Sequence, residues 1–198
     1  MRIGYGFDSH AFKAGVPLVI GGVKIEHHSG LAGHSDGDVL LHAITDALLG
    51  AVSAGDIGTF FPPSDPQWKG ADSTIFLKTA VEEIATAGYK IANIDTVLIL
   101  SQPKIVPLAG DIRARVAELL GVKANQVGIK AKTPEGLNQD GVAVAHVTVL
   151  LEEVKVENGL KSMTAEAEMD DVVESLVNGV RDTRALGRKR TFDTDDLT

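Results

Sequence analysis

Apolar positions along this chain recur with two different periods, and those periods predict its elements. Leu40, Leu41, Ile44, Ala47, Leu48 and Ala51 repeat at helical spacing, which predicts a helix over about 36–53. Ser35, three residues before Asp38, has the form of a capping box, and Gly50 and Gly55 supply the stop. A second amphipathic helix is predicted over 73–87, ended by Gly88, and a third over about 107–120 with Pro107 near its first position. IANIDTVLIL at 91–100 is rich in β-branched residues and predicts a buried strand; further strands are predicted at 127–132 and 142–156. Residues 2–7 alternate with glycines and read as a short strand entering a tight turn. Residues 18–27 read as two short strands around Gly21-Gly22, a hairpin signal. Residues 56–70, dense in Gly and Pro, read as a loop.

Strands and helices in this mixed order, with a hairpin-like pair of strands last, favour an α+β two-layer sandwich, a mixed β-sheet packed against helices, over a doubly wound sheet. Neither a G-x-G-x-x-G after a strand nor a P-loop is present, so both nucleotide motifs are missing. The pattern changes after about Lys155. Met169, Val172, Val173, Leu176, Val177 and Val180 form an apolar stripe that predicts an amphipathic helix over about 165–185, followed by Arg188-Lys189-Arg190 and a polar end. The expected organisation is a domain at 1–156 and a C-terminal extension at 157–198 whose helix docks on its own assembly or binds a partner.

Composition narrows the chemistry. The 198 residues are 44% apolar, enough for a sizeable core, and none is cysteine. That excludes a disulfide scaffold, Cys-ligated zinc, iron–sulfur clusters and thiol catalysis, so any metal must be held by His, Asp and Glu. A net charge of −8 gives no bulk attraction to nucleic acid. No run approaches 18 apolar residues, and the N-terminus has no signal-peptide pattern. The expectation is a soluble, cytoplasmic protein with no membrane partner.

Asp8 and His10 are two apart and point the same way if the segment is extended, a carboxylate and an imidazole suited to zinc. Asp38, His42 and Asp46 form a row on one helix face without a cation, where two acids would orient the histidine. If Asp8, His10 and His42 converge, they make three ligands with a fourth position open, the catalytic arrangement. His34, Ser35 and Asp36 lie at the helix N-terminus, a natural phosphate cradle. Lys132, Thr133, Pro134 and Glu135 end a strand with a cation, a hydroxyl and a carboxylate, suited to phosphates and a hard cation such as Mg²⁺. His27-His28 lacks a third ligand at suitable spacing, and His146, in an apolar strand, reads as a hydrogen-bonded structural histidine.

GFDSHAF at 6–12, GLAGHSDGDVLLHAITDALLGA at 30–51, GDIGTFFPPSDP at 55–66, KGADS at 69–73, PKIVP at 103–107 and KAKTPE at 130–135 together resemble one family. It is 2-C-methyl-D-erythritol 2,4-cyclodiphosphate synthase of the non-mevalonate isoprenoid pathway, and the resemblance runs in order along about residues 1–154. It implies zinc at Asp8, His10 and His42, and transition-state stabilisation by His34 and Thr133. It implies substrate contacts from Asp8, Ser9, His10, His34 and Ser35, and a methylerythritol pocket of Asp56, Ile57, Gly58, Phe61, Pro62, Pro63, Ser64 and Asp65. It implies a cytidine cradle of Leu100, Ser101, Gln102, Pro103, Lys104, Ile105 and Val106. The diphosphate segment is Lys132, Thr133, Pro134 and Glu135, with Glu135 on a second cation, Mg²⁺ or Mn²⁺. The implied assembly is a homotrimer with active sites between subunits, acting on a cytidine diphosphate substrate and releasing CMP.

Two departures stand out. The segment after Glu135 is several residues shorter than in many members and lacks their arginine, and position 132 is Lys where many have Thr. The residues alone leave two other readings open: a zinc-dependent phosphohydrolase on a nucleotide-linked substrate, and a non-enzymatic trimer that binds nucleotides or isoprenoid phosphates.

Overall fold

Period-two segments rich in Val and Ile make the strands, and one apolar stripe per helix decides which side of the sheet the helices cover. The structure is a computed structural model that describes residues 1–136 and 141–154. Its strands are β1 (Arg2–Ala14), β2 (Leu18–Ile20), β3 (Val23–Ile25), β4 (Ser29–Leu31), β5 (Tyr89–Ile99), β6 (Val127–Lys132) and β7 (Val142–Glu153). Its α-helices are α1 (Val39–Ala51), α2 (Ile57–Phe60), α3 (Thr74–Thr86) and α4 (Ala109–Leu120). The helix expected at about 165–185, the basic cluster and residues 137–140 lie outside the described residues.

The main sheet has the order β4-β1-β7-β5-β6, antiparallel except for the parallel pair β5–β6, and β2–β3 form a separate hairpin. This is the expected mixed sheet packed against helices. Ile94, Leu98, Val127, Ala143, Ala145, Val147 and Val149 point from the sheet into one core with Leu40, Ile44, Leu48, Leu77, Ile84, Ile112 and Val116 of the helices.

The expected hairpin of the last two strands does not form. β7 runs between β1 and β5, pairing with both, while β6 lies beyond β5 at the sheet edge. With nearly every inward position of β7 buried, the sheet centre gains more from it than an edge would. The predicted tight turn after residue 7 is also absent, because β1 continues through Asp8 and His10 to Ala14. Its glycines serve close approach instead. A Cβ on Gly4 would stand 1.8 Å from the Ala47 carbonyl oxygen, and one on Gly6 would stand 1.9 Å from that of Ala43. β1 therefore lies directly against the α1 backbone. Within the predicted loop, Ile57–Phe60 forms a single helical turn.

Among the described residues, no helix covers the other side of the sheet. Ile3, Tyr5 and Phe7 of β1 are 71%, 60% and 50% exposed, an apolar row that no described residue covers. Asp95 and Lys130 are ion-paired on β5 and β6 at positions that alternate with the core-facing ones.

Candidate metal centre and sheet-end cavity

Alternation along β1 places Asp8 and His10 on the same face as Gly4 and Gly6, against α1. There they meet His42, which the helical period directs inward from the second turn of α1. Asp8 Oδ2 lies 2.9 Å from His10 Nε2 and 2.9 Å from His42 Nδ1, and the two ring nitrogens are 3.0 Å apart. Four-coordinate zinc with bonds of about 2.0–2.1 Å holds its ligands about 3.3 Å apart. The three atoms thus form nearly one face of a metal tetrahedron, and among the described residues this is the one His/Asp/Glu cluster that could hold a metal ion. His42 is buried, while the Asp8 and His10 side chains keep some exposure, which leaves a side open.

Electrostatics favour a cation here. Burial opposes ionisation of Asp8, but hydrogen bonds and charge from His10 and His42 outweigh it and hold the carboxyl well below its usual range. Burial likewise opposes a charged His42, yet Asp8 wins and raises it, with Asp38 and Asp36 adding to the effect.

The remaining groups around His42 differ from the sequence expectation. Asp38 does not face the ring. It is fully buried and takes the N–H groups of Gly21 (2.8 Å) and Gly22 (2.6 Å) of the hairpin, and of Leu40 (3.1 Å) and Leu41 (3.0 Å) at the helix start. Asp38 is thus the N-cap of α1 itself, no Ser35–Asp38 capping box forms, and the helix starts at Val39. Two first-turn N–H groups are thereby occupied by Asp38. Burial pushes the Asp38 carboxyl up, and the N–H groups of Gly22, Leu41 and Gly21 oppose that. Asp46 accepts the Ile57 N–H at 2.8 Å, and burial raises its carboxyl. It ties α1 to the Asp56-Ile57-Gly58 segment instead of orienting His42. Asp56 caps α2 by accepting from Thr59, which lowers its carboxyl.

The groups on His42 Nε2 are hydroxyls, Ser73 Oγ at 2.8 Å and Ser35 Oγ at 2.9 Å. Ser73, which the spacing marks only as the first residue of the predicted helix, is thus a direct neighbour of the metal triangle. It makes no capping hydrogen bond. His34 is exposed beside Ser35, its carbonyl accepting from the Gly70 N–H at 2.7 Å. Phe61, expected in a ligand pocket, is buried against Trp68 and Phe76, with ring centroids 4.9 and 4.5 Å away.

A second feature lies at the far end of the sheet. The segments after β5 and β6 close a cavity of about 300 Å³ lined by Ser101, Gln102, Lys104, Thr133, Pro134, Glu135 and Gly136. Two stretches about thirty residues apart in sequence meet there because β5 and β6 are parallel and end together. The Thr133 hydroxyl donates to Glu135 Oε1. This cavity and the metal triangle are apart in one chain. Asp8 pairs with Ala145, Ala145 with Leu98, and Leu98 with Ala131. Three strand spacings, about 14 Å, therefore separate β1 from β6. Asp8 and His10 also face the helices, whereas Lys132 takes the opposite parity to core-facing Ala131. His27 bonds the Ser29 carbonyl at 2.8 Å, and His146 Nδ1 bonds the Tyr5 hydroxyl at 2.8 Å on the open face, so neither histidine joins a metal cluster. No helix among the described residues is long and apolar enough to cross a membrane.

Comparison with known proteins bears on both features. The YgbB family model matches residues 1–165. A 2-C-methyl-D-erythritol 2,4-cyclodiphosphate synthase from Koribacter versatilis is 64% identical over 152 residues, 77% of this chain and 98% of that protein. The chloroplastic protein of that name from Oryza sativa subsp. japonica is 49% identical over 153 residues, 76% of this chain and 69% of its own length. A solved synthase structure described as the bound form with CDP aligns with TM-score 0.73 at 40% identity, covering 76% of this chain and all of the other. The family match spans every element that carries the metal triangle and the sheet-end cavity, and the chain belongs to the YgbB family, alongside relatives named 2-C-methyl-D-erythritol 2,4-cyclodiphosphate synthase.

Proposed function

We propose that the chain converts 4-diphosphocytidyl-2-C-methyl-D-erythritol 2-phosphate to 2-C-methyl-D-erythritol 2,4-cyclodiphosphate with release of CMP. The observation that carries this reading is the Asp8–His10–His42 triangle, an Asp/His/His set with contracted tetrahedral edges in a chain of this family. In the reaction an oxygen of the 2-phosphate bonds to the β-phosphorus, and the bond from that phosphorus to the bridging oxygen breaks. CMP departs with the bridging oxygen, and no water oxygen enters. A phosphate oxygen is already nucleophilic at neutral pH, so the requirement is alignment and charge neutralisation. Zinc bound by Asp8, His10 and His42 would polarise the β-phosphate. Ser35 adjoins that triangle through His42, and His34 and Ser35 would donate to phosphate oxygens. Thr133 and Lys132 would serve the diphosphate, Glu135 would hold Mg²⁺ or Mn²⁺, and the segment Leu100 to Val106 would receive cytidine. Residues 1–156 form the catalytic unit and 157–198 an extension.

One chain does not complete this site by itself. Its metal triangle and its cavity are about three strand spacings apart, and Lys132 has the opposite parity to Asp8 and His10 across the sheet. A homotrimer, in which the triangle of one subunit meets the cavity of the next, supplies the missing half and covers Ile3, Tyr5 and Phe7. The test is His42→Ala, which is expected to abolish CMP release; near-normal turnover in that variant would sink the mechanism. Running the wild-type reaction in ¹⁸O-water distinguishes the chemistry, since cyclisation leaves the product unlabelled and hydrolysis labels it.

A further inference from the structure

The KGADS segment and the first acid of HSDGDV are not used in the reaction above, yet their side chains converge behind His42. Ser73 is fully buried at the start of α3. Its hydroxyl donates to Asp36 Oδ1 at 2.5 Å. Asp36 also accepts the Ser73 N–H on Oδ2 (3.1 Å) and the Asp38 N–H on Oδ1 (3.1 Å). All three contacts to the Asp36 carboxylate are from donors, so it serves as the acceptor in each.

Counting protons then fixes the ring. Ser73 has one hydroxyl proton, and Asp36 holds it. What Ser73 offers His42 at 2.8 Å is a lone pair, so Nε2 must carry the hydrogen. Nδ1 is then the nitrogen free to bind a metal, on the side of Asp8 Oδ2 and His10 Nε2, 2.9 and 3.0 Å away. With a metal on that side the lone pair is used, whereas the opposite tautomer would turn a hydrogen toward the metal and a bare Nε2 toward a hydroxyl whose proton Asp36 holds. We propose that Asp36 and Ser73 are positioning residues that hold His42 with Nε2 protonated and Nδ1 presented to the metal, an inference that rests on the metal reading of the triangle. The second hydroxyl on Nε2 has a different part. Ser35 is half-buried, and it can turn toward a bound phosphate while Ser73 keeps the Nε2–H. Substrate can thereby engage Ser35 without releasing the ring.

The experiment uses the full chain and zinc itself. Zinc affinity is measured by competition with a chromogenic chelator, and the His42 Nε2–H proton by ¹H–¹⁵N NMR in metal-free and zinc-loaded protein. Ser73→Ala is expected to weaken zinc binding by roughly 10–100-fold, the range for loss of a group that supports a metal-bound histidine, and to make the Nε2–H exchange rapidly. Ser73→Thr, which restores the hydroxyl, is expected to recover both. A Ser73→Ala protein that binds zinc as the wild type does overturns the proposal. So does a wild-type His42 whose Nε2–H exchanges freely, a readout that stands even if Ser73→Ala fails to fold. Wild-type protein that takes up no zinc, with its Nε2–H still protected, would remove the metal reading and leave the ring assignment in place.

Discussion

The metal triangle exists because a strand and a helix touch backbone to backbone, and Gly6→Ala tests that directly. The added Cβ would lie 1.9 Å from the Ala43 carbonyl oxygen and 2.8 Å from the Ala47 nitrogen, where Cβ atoms essentially never come within 3.0 Å. The obstructing atoms are backbone, so no side chain can swing aside. α1 must retreat from β1 by at least about 1.1 Å at this point. His42 precedes Ala43, and Asp8 follows Gly6 by two residues, so the retreat acts on the 2.9 Å Asp8–His42 contact. Metal–ligand distances tolerate about 0.2 Å, so a shift of this size removes a ligand. Zinc affinity is expected to fall by more than 100-fold. The metal-free protein is expected to lose about 3 kcal/mol in urea denaturation, the upper end for overpacking. Gly50→Ala is the control. Its added methyl meets nothing within 4 Å, and in a helix the change is expected to stabilise by about 0.5–1 kcal/mol. A Gly6→Ala protein with wild-type zinc affinity and stability would refute the reasoning.

Three other outcomes follow from the same geometry. Asp38→Ala strands four backbone N–H groups and removes the α1 cap, so a loss of at least about 3 kcal/mol is expected in urea; a loss under about 1 kcal/mol would contradict the hydrogen-bond assignment. In metal-free protein the Asp8–His42 attraction needs an ionised carboxyl and a charged ring. His42 is raised above its ordinary 6.5, so its contribution is full below that value and is lost as pH rises through the raised one; Asp8 is lowered from 3.8, so its share is full above 3.8 and is lost as pH falls through the lowered value. Zinc requires the uncharged ring, so its stabilisation grows with pH, and melting curves with and without zinc should diverge between about pH 5 and pH 8, where parallel curves would argue against the site. Phe7→Glu, on the open sheet face, is expected to sediment as a monomer that retains zinc but loses turnover, and a fully active monomer would reject a site shared between subunits.

The helices were legible because each buries one stripe, and the stripe fixes the period. Asp8 and His10 were legible for the same reason, since alternation alone puts them on one face. Three things were not. β1 inverts the usual pattern: its apolar residues Ile3, Tyr5 and Phe7 face outward, and its inward positions before Asp8 are glycines whose missing side chains admit α1. A local reading of glycine therefore gave a turn where the structure has a contact. The place of β7 was hidden because neighbours in sequence suggest a hairpin, while its pairing with β1 depends on residues more than 130 positions away.

The polar partners were hidden for a related reason. Asp38 reads from its spacing as a partner of Ser35 and His42, and Ser73 only as the first residue of a helix, because spacing cannot say which donor a short polar side chain will reach. Asp38 does cap, but half of its hydrogen bonds go to the hairpin; Ser73 does not cap at all, and its hydroxyl goes to His42. Periodicity reports which face of an element turns inward, but not what it meets there. In this chain the metal triangle forms where glycines leave room for a helix, and its shape is kept by polar groups from two other segments. The ligands alone would not make the site, so substitutions at Gly6 and Ser73, which bind nothing themselves, are the ones that separate the presence of three ligands from their arrangement.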